Sequence, residues 1–522
     1  MARMNNLTDA YVVNGWESEL IENYSGIVDC FRYPKSTPSI IAQYNEALYV
    51  AVMGRQQIVA AGDPVTFDFF VINEKDIKGA HTLTVTLLDP ENREISRVSR
   101  RVSVTGGDTY GELLAEGIQL TTAHRGGMYR VKAELTTPDN RSITAGEDKL
   151  LVVDLNENIL GGRGAVWENG EMIRSFLNDK SKEPVAPYSS DLGPLDWVIV
   201  TRPPTADAFT LVPGDQLTTV DGKPGTEVRY FKEMNFEQPV HQEIAKVVNM
   251  SVVEGATPHQ TVPTIEKYSM IWSGQITPKE SGTYQFNVET FGRSTYRLTV
   301  AGAEILTDAR NREDNATEGS IYLEAGKPVS YELRFAHNRG NAHCRLVWRV
   351  PLTGLPDPQQ LLERAKNDGT HVLILDYIKE WSDLIAANSG VVFTEQFTVG
   401  STWLGGVLFN KAHPIFKGLP VNDVLNWPYQ AVVRNGVDRT GFVMDGEELL
   451  VGAYHTYPMK LGTAMGIVQV GKGKVLFSTL DIIDNVIDDR DSAALVAKKL
   501  LFNMIDHSMD ANWLADKASP PL

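Results

Sequence analysis

The sequence predicts a multidomain protein that combines β-sandwich units with an alternating α/β unit, and three observations carry that expectation. Apolar and polar residues alternate with a period of two through residues 46–154. Near Glu168 the spacing turns helical, and short apolar strand runs begin to alternate with helical stripes. Residues 221–352 then return to a purely β character before the α/β rhythm resumes. At 522 residues the chain exceeds what a single core organises, so three or four domains are expected.

The alternation is clearest in Gly127–Leu135, where Tyr129, Val131, Ala133 and Leu135 face one way and Arg130, Lys132 and Glu134 the other. Similar runs at Val65–Val71 and Leu83–Leu87 are separated by Asn, Asp, Gly and Pro turn signals, the pattern of an immunoglobulin-like β-sandwich. Beyond it, Met172, Ile173, Phe176 and Leu177 form a helical apolar stripe, and Trp197–Val200 reads as a short buried strand. Asp357 suits a helix N-cap, with Pro358 at the first helical position and Gly369 at the exit. Strand Val372–Leu375 follows, then a helix carrying Ile378, Trp381, Leu384 and Ile385, and a closing helix from Asp491 to His507. One α/β domain is therefore expected in two pieces, residues 155–220 and 353–510, split by an insert at 221–352 and trailed by a tail at 511–522.

Asp and Glu total 66 against 49 Lys and Arg, a net charge of −17 that repels nucleic-acid phosphates and anionic lipid. Neither nucleic acid nor membrane is expected as a partner. No run approaches the ~20 apolar residues of a membrane span, and Met1–Asp9 lacks the charged-then-apolar pattern of an export signal. Cys30 and Cys344 stand far apart and are expected as two separate buried thiols.

From Asp9 the chain reads DAYVVNGWESELIENYSGIVDCFRYPK. A short strand run, Ala10–Val13, delivers Asn14, Gly15, Trp16 and Glu17, and Gly26, Asp29, Arg32 and Lys35 follow in a GxxDxxRxPK-like stretch. This resembles the eighth barrel strand and exit segment of family 2 glycoside hydrolases, the β-galactosidase, β-glucuronidase and β-mannosidase group. The resemblance implies that residues 1–45 are a TIM-barrel remnant, that the sandwich after it is the one following the barrel in that family, and that the catalytic glutamates lie upstream. It also implies that Trp16 stacks beneath a sugar ring, with Asn14 and Glu17 beside it, because an aromatic face suits the apolar C–H face of a pyranose. Glu17, Glu19 and Glu22 read as a solvated face rather than as the carboxylate pair of retaining hydrolysis. The parent enzyme is expected to be bacterial and periplasmic or secreted, although the location of this chain is left open.

In the insert, VRYFKEMNF, YSMIWSGQITPKESGTYQFNVET, GSIYLEAGKPVSYELRF and CRLVWRVP are similar to the PA14 module, a β-sandwich of toxins, adhesins and glycosidases. Sugar-binding relatives carry adjacent aspartates that chelate calcium; after Val288 this chain reads ETFGRSTYRL, with Thr290 and Phe291 in place of the acidic pair. A contact role is left to Phe291 and Arg293. The split domain, with AHPIFKGLP at Ala412–Pro420 and GKGKVLFSTLDI at Gly471–Ile482, looks like the glutamine-amidotransferase-like domains appended to sugar hydrolases, of flavodoxin type. It lacks a Cys nucleophile, and Ser401 lacks the flanking glycines of a nucleophile elbow, so His413 and His455 read as structural. Asp481, Asp484, Asp488, Asp489 and Asp491 lack calcium-loop spacing and fit the acidic preference of a helix N-terminus.

The sequence-based expectation is thus the accessory, C-terminal part of a glycoside hydrolase acting on β-linked glycans. No catalytic residue, metal ligand or cofactor is assigned. The substrate-contacting residues are Asn14, Trp16, Glu17, Phe291 and Arg293, and the partners are a glycan, a catalytic barrel on another subunit or upstream domain, and a second copy of the chain. The alternative is a stand-alone carbohydrate-binding or scaffold protein without hydrolase activity.

Overall fold

The computed structural model describes residues 2–4, 6, 27–28, 32–34, 38–205, 208–252, 256–291, 293–308, 318–351, 355–399, 406–433, 440–455, 459–487, 492 and 494–509. Asn14, Trp16, Glu17, Glu19, Glu22, Cys30, Ser401, Asp488, Asp489 and Asp491 lie outside the described residues.

Alternating residues build the first unit. Strands Leu48–Gly54, Pro64–Asn73 and Gly111–Thr121 form one sheet, and Ile58–Ala60, Ser142–Val153, Gly127–Thr136, Gly79–Leu88 and Glu94–Val104 form a second, in that order. The inward residues of both sheets, among them Phe67, Phe69, Val85, Tyr129 and Val131, share one core. Tyr129 is buried, and its hydroxyl donates to the Arg125 carbonyl at 2.9 Å, which satisfies the one polar atom that its ring carries inside.

A mixed ten-stranded sheet follows. Its parallel part runs, in space, Ala186–Pro187, Gly164–Trp167, Trp197–Val200, His371–Ile374 and Gly473–Ser478. Strand Lys460–Val470 then adds antiparallel and leads to the antiparallel edge. Trp197–Val200 and His371–Ile374 are buried at every position, as expected of strands covered on both faces. Helix Pro358–Asp368 begins where its sequence signals place it: Asp357 accepts from the Gln359 amide at 2.9 Å, and Gly369 closes it with φ 86°. Helix Ile378–Ser389 buries Ile378, Trp381 and Ile385, and the Trp381 Nε1–H donates to the Arg202 carbonyl at 2.8 Å.

Between Trp197–Val200 and His371–Ile374 the chain leaves the α/β unit and builds two further sheets. One has five strands, in which Gly282–Phe291 and Asn249–Val252 both pair with Ala342–Arg349; the other has seven and runs from Pro239–Ala245 to Ala303–Thr307. Short strands Thr210–Leu211 and Leu217–Thr218 also pair into these sheets. Trp272, Tyr284, Phe286, Phe335 and Trp348 form the shared core, with the Tyr284 and Trp348 rings 4.8 Å apart. Gly274 is required by close approach, since a Cβ there would stand 2.4 Å from the Thr218 carbonyl oxygen. Cys344 is a free, buried thiol in this core, and burial pushes its pKa up.

The first sandwich and the α/β unit share packing: Ile58, Leu151 and Val153 join the cluster that holds Leu373, Leu476 and Leu500. The last helix, Ala494–Ser508, pins the connection. Lys499, with 1% of its side chain exposed, donates to the Asp154 carbonyl at 2.8 Å and to Asn158 Oδ1 at 2.9 Å, and pairs with Glu157. Asp506 accepts from the Leu160 amide at 2.9 Å. Replacing Lys499 with Ala leaves the Asp154 carbonyl and Asn158 Oδ1 without their buried donor and removes one of the two cations on Glu157, which keeps Lys417 at 3.2 Å; the loss costs about 1–3 kcal/mol. A drop in the thermal midpoint of the transition involving the α/β unit, read by calorimetry, checks this; an unchanged midpoint contradicts it.

Candidate functional site

A cleft of about 780 Å³ lies between the inserted module and the α/β sheet, within the roughly 300–1,000 Å³ range of ligand sites. Its floor is the carboxyl end of two parallel strands, where open α/β sheets hold their ligands. Strand His371–Ile374 leaves the sheet through Leu375, Asp376 and Tyr377, and helix Ile378–Ser389 starts at once. The turn is sharp because Tyr377 takes left-handed angles, φ 57° and ψ 35°, a conformation that costs a non-glycine residue on the order of 1–3 kcal/mol. The Tyr377 hydroxyl donates to the Phe209 carbonyl at 3.0 Å, which anchors the strained residue to the segment entering the insert.

Such a strand-to-helix elbow is where α/β enzymes display a nucleophile. Here it carries a phenol whose proton is already committed and whose pKa burial drives well upward, so Tyr377 serves as an anchor. Strand Gly473–Ser478 exits beside it through Thr479, Leu480 and Asp481, and helix Ile482–Ile487 supplies Asp484.

The opposite wall is the outer face of the five-stranded sheet. Arg345 lies directly across from Asn249 on one side and Glu289 on the other, a three-strand polar ladder set by register. The Arg345 guanidinium stands 3.4 Å from Glu289 and 3.9 Å from Asp484, while Asn249 donates to Asp484 at 2.7 Å. Burial opposes the Arg345 charge, but Asp484 and Glu289 outweigh it and hold the pKa well above the usual value. Arg345 Nε is buried without a hydrogen-bond partner among the described residues, so the protein leaves one donor of the ladder unmatched.

Asp376 lies on the floor, and its carboxylate accepts from the Tyr377 amide at 2.8 Å. Burial pushes its pKa up, Arg345 pulls it back and Asp484 raises it again, leaving it at about 7. Near neutrality it therefore offers a hydroxyl ligand either a donor or an acceptor, next to acidic acceptors in Asp484 and Glu289. Gln396, Thr398, Ser251 and Asn287 add polar groups, and Tyr296, Tyr377 and Phe442 add aromatic surface.

Of the residues singled out from sequence, Asn14, Trp16 and Glu17 are outside the described residues. Phe291 ends strand Gly282–Phe291, whose preceding residues Glu289 and Thr290 line the cleft. Arg293 is exposed just beyond that strand and does not line the cleft, and its carbonyl accepts from Asn338 at 3.0 Å. Asp481 and Asp484 line the cleft. His413 caps the short turn Pro414–Phe416 through the Ile415 amide at 3.3 Å, and burial lowers its pKa. Sequence reasoning missed Arg345, Asp376 and Tyr377. The available signal was the LDY triplet ending the apolar run at Leu375, whereas Arg345 carries no local signal because its partners are brought by strand register.

Residues 222–361 match the PA14 domain, so that module is present in this chain. The anti-sigma-I factor RsgI3 of Acetivibrio thermocellus is 28% identical over 124 residues, 24% of this chain and 19% of that protein, so the chain spans about a fifth of this curated relative. An anti-sigma factor domain-containing protein from Clostridium clariflavum is 14% identical with a TM-score of 0.23, covering 55% of this chain and 80% of that one. A Kluyveromyces marxianus β-glucosidase in complex with glucose is 12% identical with a TM-score of 0.24, covering 42% of this chain and 28% of that one. The PA14 domain of the MpAFP antifreeze protein is 13% identical with a TM-score of 0.19, covering 25% of this chain and 84% of that one. Likenesses at this level assign no activity.

The Asp376 environment has a measurable consequence. Its folded pKa of about 7 lies above its ordinary carboxylate value, so the native state holds a proton that the unfolded chain has released above about pH 4. The stability tied to the neutral carboxyl is complete below that pH and is lost as pH rises through 7. Asp376→Asn removes the titration, so the fall in thermal midpoint between pH 5.5 and 8.5 should be smaller in the variant than in the wild-type protein. Equal falls in both would contradict the assignment.

Proposed function

We propose that this chain is the accessory, carbohydrate-recognising part of a glycoside hydrolase that acts on β-linked glycans, and that its cleft holds a polyhydroxyl ligand. The observation that carries this reading is the cleft's composition: a guanidinium, carboxylates, amides and hydroxyls converge with aromatic surface between a PA14 module and the carboxyl edge of a parallel sheet. Sugar hydroxyls demand paired donors and acceptors, and the C–H faces of the ring favour aromatic contact.

On this reading the first sandwich is immunoglobulin-like, and the split α/β unit is an amidotransferase-like domain retained without its nucleophile. The parallel strand order second, first, third, fourth and fifth, as in flavodoxin-type sheets, supports the latter, as does the phenol at its elbow. Residues 1–45 complete a catalytic barrel carried on another subunit or an upstream domain, with Asn14, Trp16 and Glu17 at its rim, and the α/β unit contributes to self-association.

A second reading, a stand-alone carbohydrate-binding or scaffold protein, is favoured by the curated relative, whose name describes an anti-sigma factor rather than a hydrolase.

Titration of the full chain with β-linked oligosaccharides separates these ideas from their failure. Binding that weakens at least tenfold in Thr290→Arg, which fills the cleft, supports a glycan site there; binding indifferent to that change removes it. Chromogenic β-galactoside, β-glucuronide and β-mannoside should turn over only when a barrel-bearing partner is added. Robust turnover by this chain alone, abolished by Glu17→Gln, would overturn the accessory role, and glycan binding with no partner-dependent turnover would favour the stand-alone protein.

A further inference from the structure

We infer that the PA14 module carries a transition-metal site of the zinc class, built from His241, Glu243 and His259 and separate from the cleft. His241 and Glu243 sit two residues apart on strand Pro239–Ala245, the edge of the seven-stranded sheet, so the period of two puts both on one face. The face is the inner one: Tyr230 and Val228, opposite them in register, belong to the buried core, and Ala245 continues the row inward. His259 comes from the turn that leads to the buried Val262 and folds back over this edge. The three side chains are partly buried, and one ligand atom from each lies within 4.8 Å of the other two.

Glu243 and His259 also have the kind of outer partner that metal ligands use for orientation. The Tyr230 hydroxyl donates to Glu243 at 2.7 Å. Thr261 holds the His259 ring through Nδ1, which accepts from the Thr261 amide at 3.2 Å and lies 2.8 Å from its hydroxyl; ligation at Nε2 would move the ring proton to Nδ1, where the Thr261 hydroxyl accepts it. His241 Nε2 stands 3.7 Å from Glu243. The imidazoles of His241 and His259 lie 3.9 Å apart and 7° from parallel, flanked by the Tyr230 ring. Metal–nitrogen bonds of ~2.0–2.1 Å require the two rings to tilt and the donor atoms to draw together.

The donor set selects the ion. Two imidazoles and one carboxylate suit zinc and its borderline neighbours, whereas calcium prefers six or more oxygens, which these three residues cannot supply. With three protein ligands, a fourth position is left to water or to a ligand group at the mouth of the module. This inference does not rest on the glycan reading, since none of the three residues lines the cleft.

The test uses the full chain, stripped with a chelator and dialysed. Isothermal titration with zinc chloride should show one equivalent bound, and calcium chloride should not compete. His241→Gln and His259→Gln should each weaken zinc at least tenfold, and Tyr230→Phe by about tenfold through loss of the carboxylate's orientation, while His124→Gln, at an exposed histidine elsewhere, leaves affinity unchanged. Cobalt(II) added to the wild-type chain should give the intense visible bands of a four- or five-coordinate site, and Glu243→Gln should alter them. Absence of zinc binding, absence of those cobalt bands, or zinc affinity unaffected by the paired histidine substitutions would each overturn the site.

Discussion

The contact between Asp484 and the polar ladder of the inserted module sets the relation on which the cleft depends. Asn249 and Arg345 reach Asp484 from neighbouring strands, so a module of its own core is fixed to a sheet of a different core by one carboxylate at a helix start. Buried charge groupings of this kind are costly to assemble and costly to break by halves. Their effect here is placement: with the ladder seated on Asp484, Glu289 and Thr290 face Asp376 and Thr479 across open space. Asn169 adds a tie on the α/β side, donating to Thr210 at 2.7 Å where the first crossing pairs into the module.

The insertion point explains why the site belongs to both units. The chain leaves the α/β sheet after Val200 and returns at His371, its nearest neighbour in that sheet. The module therefore projects from the carboxyl edge, where the strands end and the helices begin. Tyr377 ties the elbow to Phe209 at the start of the excursion, so the strained turn and the insert hold each other. Burial then acts on Asp376 from the floor and on Arg345 from the wall. Their opposite charges moderate each other, and Asp376 stays close to neutrality while Arg345 remains charged.

The other end of the α/β unit is organised differently. Lys499 and Asp506 on the last helix collect the connection from the first sandwich through backbone and side-chain oxygens and amides. A shared apolar cluster continues from Ile58 and Val153 into Leu476 and Leu500. The sandwich is thus packed against the helical layer, while the PA14 module meets the sheet across a polar gap. Ligand access is consistent with the second arrangement and would be blocked by the first.

Local chemistry was legible in the amino-acid sequence wherever a signal spans a few residues. The alternation of Tyr129, Val131, Ala133 and Leu135 marked a strand with one buried face, Asp357, Pro358 and Gly369 marked both ends of a helix, and the Trp272, Gly274, Tyr284 and Trp348 landmarks marked the PA14 module. Each works because backbone period, capping and turn angles are short-range properties. The site was not legible in that way. Arg345, Glu289 and Asn249 meet through strand register, and Asp376 and Asp484 join them only when the insert docks on the sheet. Likewise His241 and Glu243 show their common face in sequence, but His259 reaches them through a turn whose path the core decides. Sequence alone determined which segments could be strands and helices; tertiary structure decided which polar side chains share an enclosed space, because that depends on distances between elements far apart along the chain.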